Sequence, residues 1–240
     1  MSTPSRQNEI ENLLSNLLIY LNPEYFSPSL ADDTKKGSSF NRDIVEKYWK
    51  LLTAIDWFVK KISKYPLYFN EFYTSNEKVS NHEALEHHIY AYLEDMETVK
   101  NKIVRYITEM KNDIKKVAIN KKEVDEALKQ WVKDISRVFG SSKLRGDLRH
   151  GNYRFVDPYI SKAYMAETIL NQEELFSRLT EKGVVEVKKN LTESIEEGKN
   201  WWSENAKYNY QQIYGLTNKV IEKTKYYLYQ LLDIEVLIPK

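Results

Sequence analysis

In 240 residues, 36 Lys and Arg stand against 35 Asp and Glu, so the formal charge is only +1. A global basic field for nucleic acid is excluded, and any such binding must come from a local patch. The absence of cysteine excludes disulfides, thiolate nucleophiles and cysteine metal sites, while 42% hydrophobic and 30% charged residues read as globular rather than disordered.

The first residues, Met1-Ser2-Thr3-Pro4-Ser5-Arg6, lack the basic and apolar regions of a signal peptide, so a cytoplasmic location is expected. Every apolar stretch is broken by charges within a few residues, so no membrane contact is expected. Gly and Pro number only 7 and 6, which favours long helices with few turns. A first amphipathic segment covers residues 5–21, with Ile10, Leu13, Leu14, Leu17, Leu18 and Leu21 at helical spacing. Pro23, Pro28 and Lys36-Gly37-Ser38-Ser39 then make a loop. Asn41 is a suitable N-cap for a second helix, over 41–64, with Ile44, Tyr48, Leu51, Leu52, Ile55 and Phe58 on one face. Residues 65–80 are aromatic but not periodic, contain Pro66, and read as a connecting segment.

The clearest element begins at Asn81, where Leu85, Ile89, Tyr92, Leu93, Met96, Val99, Ile103, Ile107, Met110, Ile114 and Val117 recur at threes and fours. Such a helix is a rod on the order of 50 Å long. Another runs over 121–139 and stops at Gly140-Ser141-Ser142. A short helix from about Ser142 is closed by Gly151 in a C′ position. Val156-Asp157-Pro158 breaks the chain again, and two further helices are expected over 159–182 and 184–232. Ile234-Glu235-Val236-Leu237-Ile238 alternates but is too isolated for a sheet. The expectation is one all-α domain over 1–240, a helical bundle of long helices and a short motif-bearing helix. The segment 183–240 supplies its long, aromatic-rich C-terminal helix.

The short helix holds the densest cluster of reactive and basic groups, Leu144-Arg145-Gly146-Asp147-Leu148-Arg149-His150-Gly151-Asn152-Tyr153-Arg154. Imidazole moves protons near neutral pH, and guanidinium groups clamp phosphate bidentately, so the pair suits a phosphodiester. On one continuous helix the five-residue step from Arg145 to His150 rotates the side chains apart by roughly 140°. From the residues alone, a phosphodiester site and a solvated basic helix end both remain open.

The segment resembles the Arg-x4-His signature of the HEPN superfamily (higher eukaryotes and prokaryotes nucleotide-binding domains). Arg145, the following aliphatic Leu148 and the His150-Gly151 ending match it. The stretch His88-Ile89-Tyr90-Ala91-Tyr92-Leu93-Glu94, with Lys100-Asn101-Lys102-Ile103 downstream, looks like the preceding helix in bacterial members. The likeness covers about 41–182, a HEPN-like core. It implies a metal-independent endoribonuclease without cofactor, in which His150 and Arg145 are catalytic and Asp147 supports them. Arg149, Asn152, Tyr153 and Arg154 would contact RNA. It also implies a homodimer with two motifs face to face, and a setting in defence or toxin–antitoxin biology with an antitoxin or other regulatory protein as partner. The family commonly has Asn after the Arg, where this chain has Gly146, and some of its toxins have Tyr two residues after the His, whereas Tyr153 is three on. A non-catalytic HEPN-like module that binds nucleotide, RNA or protein is the alternative.

Three other features admit two readings each. Asn81-His82-Glu83-Ala84-Leu85-Glu86-His87-His88 is either a metal cluster built on i,i+4 pairs or a helix first turn with Asn81 as N-cap. Lys111, Lys115, Lys116, Lys121 and Lys122 either contact phosphates or form a solvated connection. Trp201-Trp202, in a chain with 18 Tyr, either stacks on bases or packs between helices.

Overall fold

A computed structural model describes residues 9–22, 25, 39–71, 73, 78–117, 121–140 and 157–232. The fold is all-α, a bundle of helices, and no strand occurs among the described residues. In chain order the helices are α1 (Glu9–Leu21), α2 (Ser39–Ile62), α3 (Tyr65–Glu71), α4 (Asn81–Val117), α5 (Lys121–Gly140), α6 (Pro158–Asn171), α7 (Glu173–Phe176) and α8 (Glu181–Leu232). None is long and apolar enough to cross a membrane.

Four local features differ from expectation. The second helix begins at Ser39, ahead of Asn41. Part of the expected connector is helical: Pro66 occupies the first turn of α3, where a missing N–H costs nothing. The cap of α4 is Ser80, not Asn81. Ser80 Oγ accepts from the Glu83 backbone N–H at 3.3 Å, and Glu83 Oε2 accepts from the Ser80 N–H at 2.8 Å, a reciprocal capping box. The expected single helix over 159–182 divides into α6 and α7, because Gln172 turns to an extended conformation (φ −89°, ψ 111°).

The chain folds as two compact units. The first comprises 1–60, 97–139 and 212–240; the second comprises 61–96 and 140–211. In the first unit Ile10, Leu13 and Leu17 of α1 are buried, as are Leu52, Ile55, Ile103, Ile107, Leu128, Ile135, Ile213 and Val220. Each such aliphatic side chain contributes about 1.5–3 kcal/mol through removal from water. Tyr106 lies in this core with its hydroxyl 2.8 Å from Thr224 Oγ1, and its ring meets Tyr48 edge-on at 6.0 Å.

The second unit is built around aromatic rings. Phe69, Tyr92 and Trp202 are buried and meet at centroid distances of 5.8–6.1 Å. Tyr65 joins them 5.1 Å from Tyr92. Tyr48, Tyr65, Tyr92 and Tyr106 are core residues, whereas Tyr25, Tyr164, Tyr208 and Tyr226 are exposed, and the buried tips are hydrogen-bonded rather than wet. Tyr65 donates to Asp95, and Asn209 Nδ2 donates to the Tyr92 hydroxyl at 2.8 Å. Burial, as the larger effect, pushes the Tyr92 hydroxyl up to about 12, against the hydrogen bond from Asn209.

Candidate functional site

Arg145, Asp147, Arg149, His150, Asn152, Tyr153 and Arg154 lie outside the described residues, as does the short helix expected to carry them. What the structure does show is the point at which the chain leaves that segment, in the second unit. Asp157 is 4% exposed and caps α6. Its Oδ1 accepts from the backbone N–H groups of Tyr159 at 2.9 Å and Ile160 at 3.0 Å. Its Oδ2 accepts from Trp202 Nε1–H at 2.9 Å, which ties α6 to α8. The Asp-Pro pair produces this locally, since Asp is a strong N-cap and Pro158 fits the first helical position.

Asp157 therefore gains three neutral donors and the positive end of a helix. Arg154 precedes it by three residues and His150 by seven. Chain connectivity alone keeps their Cα atoms within about 11 Å and about 25 Å of the Asp157 Cα.

Gly198 eases the junction: a Cβ there would stand 3.0 Å from Leu85 Cδ2 and 3.0 Å from Tyr159 Cβ, a tight fit that would press these neighbours back by a few tenths of an ångström. One turn on, α8 presents Trp201 and Trp202 in edge-to-face contact, at 4.8 Å and 80°. Trp202 is 2% exposed and Trp201 41% exposed. The tryptophan pair divides: one ring packs, the other reaches solvent.

The histidine cluster at the start of α4 does not converge on a common point. His82 is 4% exposed, and its Nδ1 lies 2.9 Å from Ser80 Oγ and 3.1 Å from Glu167 Oε2. Both partners use the same ring nitrogen, so these three do not form a nucleophile–base–acid relay, in which serine and acid take opposite nitrogens. Glu83 is engaged in the capping box, and His88 stacks on Tyr68 at 6.3 Å. Among the described residues no group of three or more His, Asp or Glu is arranged to hold a metal ion.

The lysines near the end of α4 are neutralised locally in the first unit. Asp125 of α5 draws Lys111 at 2.9 Å, together with Lys115 and Lys129, while Lys116 pairs with Asp113 at 2.9 Å. These three lysines hold the Asp125 carboxyl well below the usual range. A cleft of about 560 Å³ in the same unit is lined by Lys47, Lys50, Lys102 and Arg105, and by Asp43, Glu46 and Glu109. Lys47 is committed to Glu109 at 2.5 Å and to Asp113 at 2.8 Å. The cleft is near charge balance and offers no concentrated anion site.

In the sequence, Val156-Asp157-Pro158 reads only as a break. The Asp-Pro pair was a readable cap signal, whereas its pairing with Trp202, 45 residues away, was not. No protein-family model matches the chain, and neither a curated protein nor a solved structure matches it.

Proposed function

We propose that the chain is a metal-independent endoribonuclease of the HEPN type, with Arg145 and His150 as its catalytic residues. The Arg145-x4-His150-Gly151 motif carries this reading. Two further observations support it: the chain is all-α, and the residue that closes the motif segment, Asp157, is buried and hydrogen-bonded on both carboxylate oxygens. A motif joined to a rigid anchor meets the need for positioning in catalysis.

In the proposed reaction the ribose 2′-OH attacks the adjacent phosphorus. A 2′-O–P bond forms, the P–O5′ bond breaks, and the products are a 2′,3′-cyclic phosphate and a 5′-OH end. His150 moves the proton, taking it from the 2′-OH or delivering it to the departing O5′. Arg145 stabilises charge that develops on the non-bridging phosphoryl oxygens. Asp147 supports these groups, and Arg149, Asn152, Tyr153 and Arg154 contact the RNA strand. The nucleophile is internal to the substrate, so neither cofactor nor metal is required. Two protomers related by a two-fold axis bring their motifs together, which relieves the poor alignment of Arg145 and His150 within one helix. A cytoplasmic setting in defence, with an antitoxin or regulatory partner, fits such an activity.

Gly146 favours one second reading, a non-catalytic HEPN-like module that binds nucleotide, RNA or protein, because the polar side chain usual after the Arg is missing. Incubating the purified protein with total RNA in EDTA separates the two. The ribonuclease produces fragments ending in 2′,3′-cyclic phosphate, and the binding module leaves the RNA intact.

A further inference from the structure

We infer that the cleft between α2 and α4 in the first unit binds a small planar aromatic carboxylate, with Lys102 and Arg105 on the carboxylate and Trp57 against the ring. The cleft holds about 560 Å³, the size of a site for a small molecule rather than for a polymer. Much of its charge is cancelled internally. Lys47 is taken by Glu109 and Asp113, and Lys50 by Glu46 at 2.5 Å. Lys102 and Arg105 line the cleft one helical turn apart on α4, and neither forms an ion pair or hydrogen bond among the described residues. Two cations are thus left for a ligand.

The register of the two helices sets Trp57 beside them. From the Lys47–Glu109 pair the cleft runs forward along α2, past Leu51 and Ala54, and backward along α4, past Arg105 and Lys102, so the helices are antiparallel. Trp57 lies ten residues beyond Lys47, and the same step back from Glu109 and Asp113 reaches 99–103, the stretch that contains Lys102. Around α2, Trp57 stands three residues after Ala54 and seven after Lys50, hence on the face that lines the cleft. Its ring is 57% exposed, and Phe58 meets it edge-on at 4.7 Å. Leu51 and Ala54, both half-buried, add a short apolar floor.

These groups narrow the ligand. A guanidinium presents a fork of parallel N–H donors that matches the two oxygens of a carboxylate, and an ammonium adds a point charge. Asp43, Glu46 and Glu109 line the same cleft and repel a second negative charge, so a monoanion is favoured over a phosphate. An exposed indole gains most from a flat partner, through offset or edge-to-face contact. An aliphatic acid would satisfy the two cations and leave Trp57 bare. Every group involved belongs to the first unit, whereas the Arg145–His150 segment belongs to the second, so the site stands or falls apart from the ribonuclease reading.

Isothermal titration of 2-naphthoate into the full wild-type chain tests the site, with an expected Kd of about 1 mM or tighter. Arg105→Ala and Lys102→Ala should each raise Kd about fivefold or more, Trp57→Ala about fivefold, and Trp57→Phe less than about twofold. Arg105→Lys, which keeps the charge and loses the fork, should fall between wild type and Arg105→Ala. The uncharged 2-naphthalenemethanol and the non-planar cyclohexanecarboxylate should each bind at least about fivefold more weakly, and 2-naphthyl phosphate no tighter than the carboxylate. Circular dichroism should show unchanged helical content in each variant, since none removes a core side chain. No binding of 2-naphthoate, a Kd that Arg105→Ala or Trp57→Ala leaves unchanged, or equal binding of the alcohol would overturn the site. Tighter binding of 2-naphthyl phosphate would overturn the choice of a carboxylate.

Discussion

Asp113 in the first unit and Asp157 in the second are buried to a similar degree, 8% and 4% exposed, and are stabilised in opposite ways. Asp113 is surrounded by cations: Lys47 at 2.8 Å and Lys116 at 2.9 Å, with the Tyr48 hydroxyl donating at 3.0 Å. Asp157 is held by two backbone N–H groups and one indole N–H. The first arrangement is electrostatic and tolerates small shifts, because Coulomb attraction falls off slowly with distance. The second depends on direction, since a hydrogen bond weakens steeply when misaligned. A carboxylate fixed by direction is suited to setting the exit of a functional segment, and one fixed by charge is suited to clamping helices.

Removing the donor side of the directional anchor should have the largest effect. Trp202→Ala deletes a buried indole and leaves Asp157 Oδ2 without a donor, and should destabilise the protein by about 3–5 kcal/mol in denaturant titrations. Tyr48→Phe removes only a hydroxyl from the electrostatic site. Its loss of about 1.5–3 kcal/mol should fall toward the lower end if Lys47 and Lys116 take up the slack. Asp157→Asn keeps the helix cap through Oδ1 but turns an amide donor toward the indole N–H. A cost of about 1–3 kcal/mol is expected, together with reduced RNA cleavage at unchanged helical content by circular dichroism. If Asp157→Asn lowers stability without touching cleavage, the anchor has no part in positioning the motif.

The pH response sharpens the contrast further. Burial pushes the Asp113 carboxyl up, but hydrogen bonds from Lys47, Lys116 and Tyr48 more than offset it, so it sits below its usual value. A folded-state pKa below the unfolded one gives stability that is present above about pH 4 and lost as pH falls through the folded value. Chemical denaturation between pH 6 and pH 3 should therefore show a fall for the wild type that is smaller in Asp113→Asn. Equal slopes in the two proteins would remove Asp113 from the account.

Much of the helical pattern was legible because apolar residues recur at threes and fours over long stretches, and α4 follows that signal from Asn81 to Val117. Short elements escape it. The seven residues of α3 show no period, and Pro66 reads as a breaker unless its place in the first turn is known. The cap of α4 was readable as Ser80-x-x-Glu83, but Asn81 competes for the role on side-chain type alone. The break at Gln172 carries neither Gly nor Pro, so nothing local announces it. As to the site, the basic motif is a sequence feature throughout. The Asp157–Trp202 bond and the division of labour between Trp201 and Trp202 depend on how α6 meets α8, which no local pattern encodes.

The most direct test of the ribonuclease is cleavage of a labelled single-stranded RNA in EDTA by the wild type and by His150→Ala and Arg145→Ala. The account predicts fragments ending in 2′,3′-cyclic phosphate from the wild type, and loss of cleavage in both variants with helical content and oligomeric state retained. Intact RNA with the wild type, or full cleavage by either variant, would contradict it.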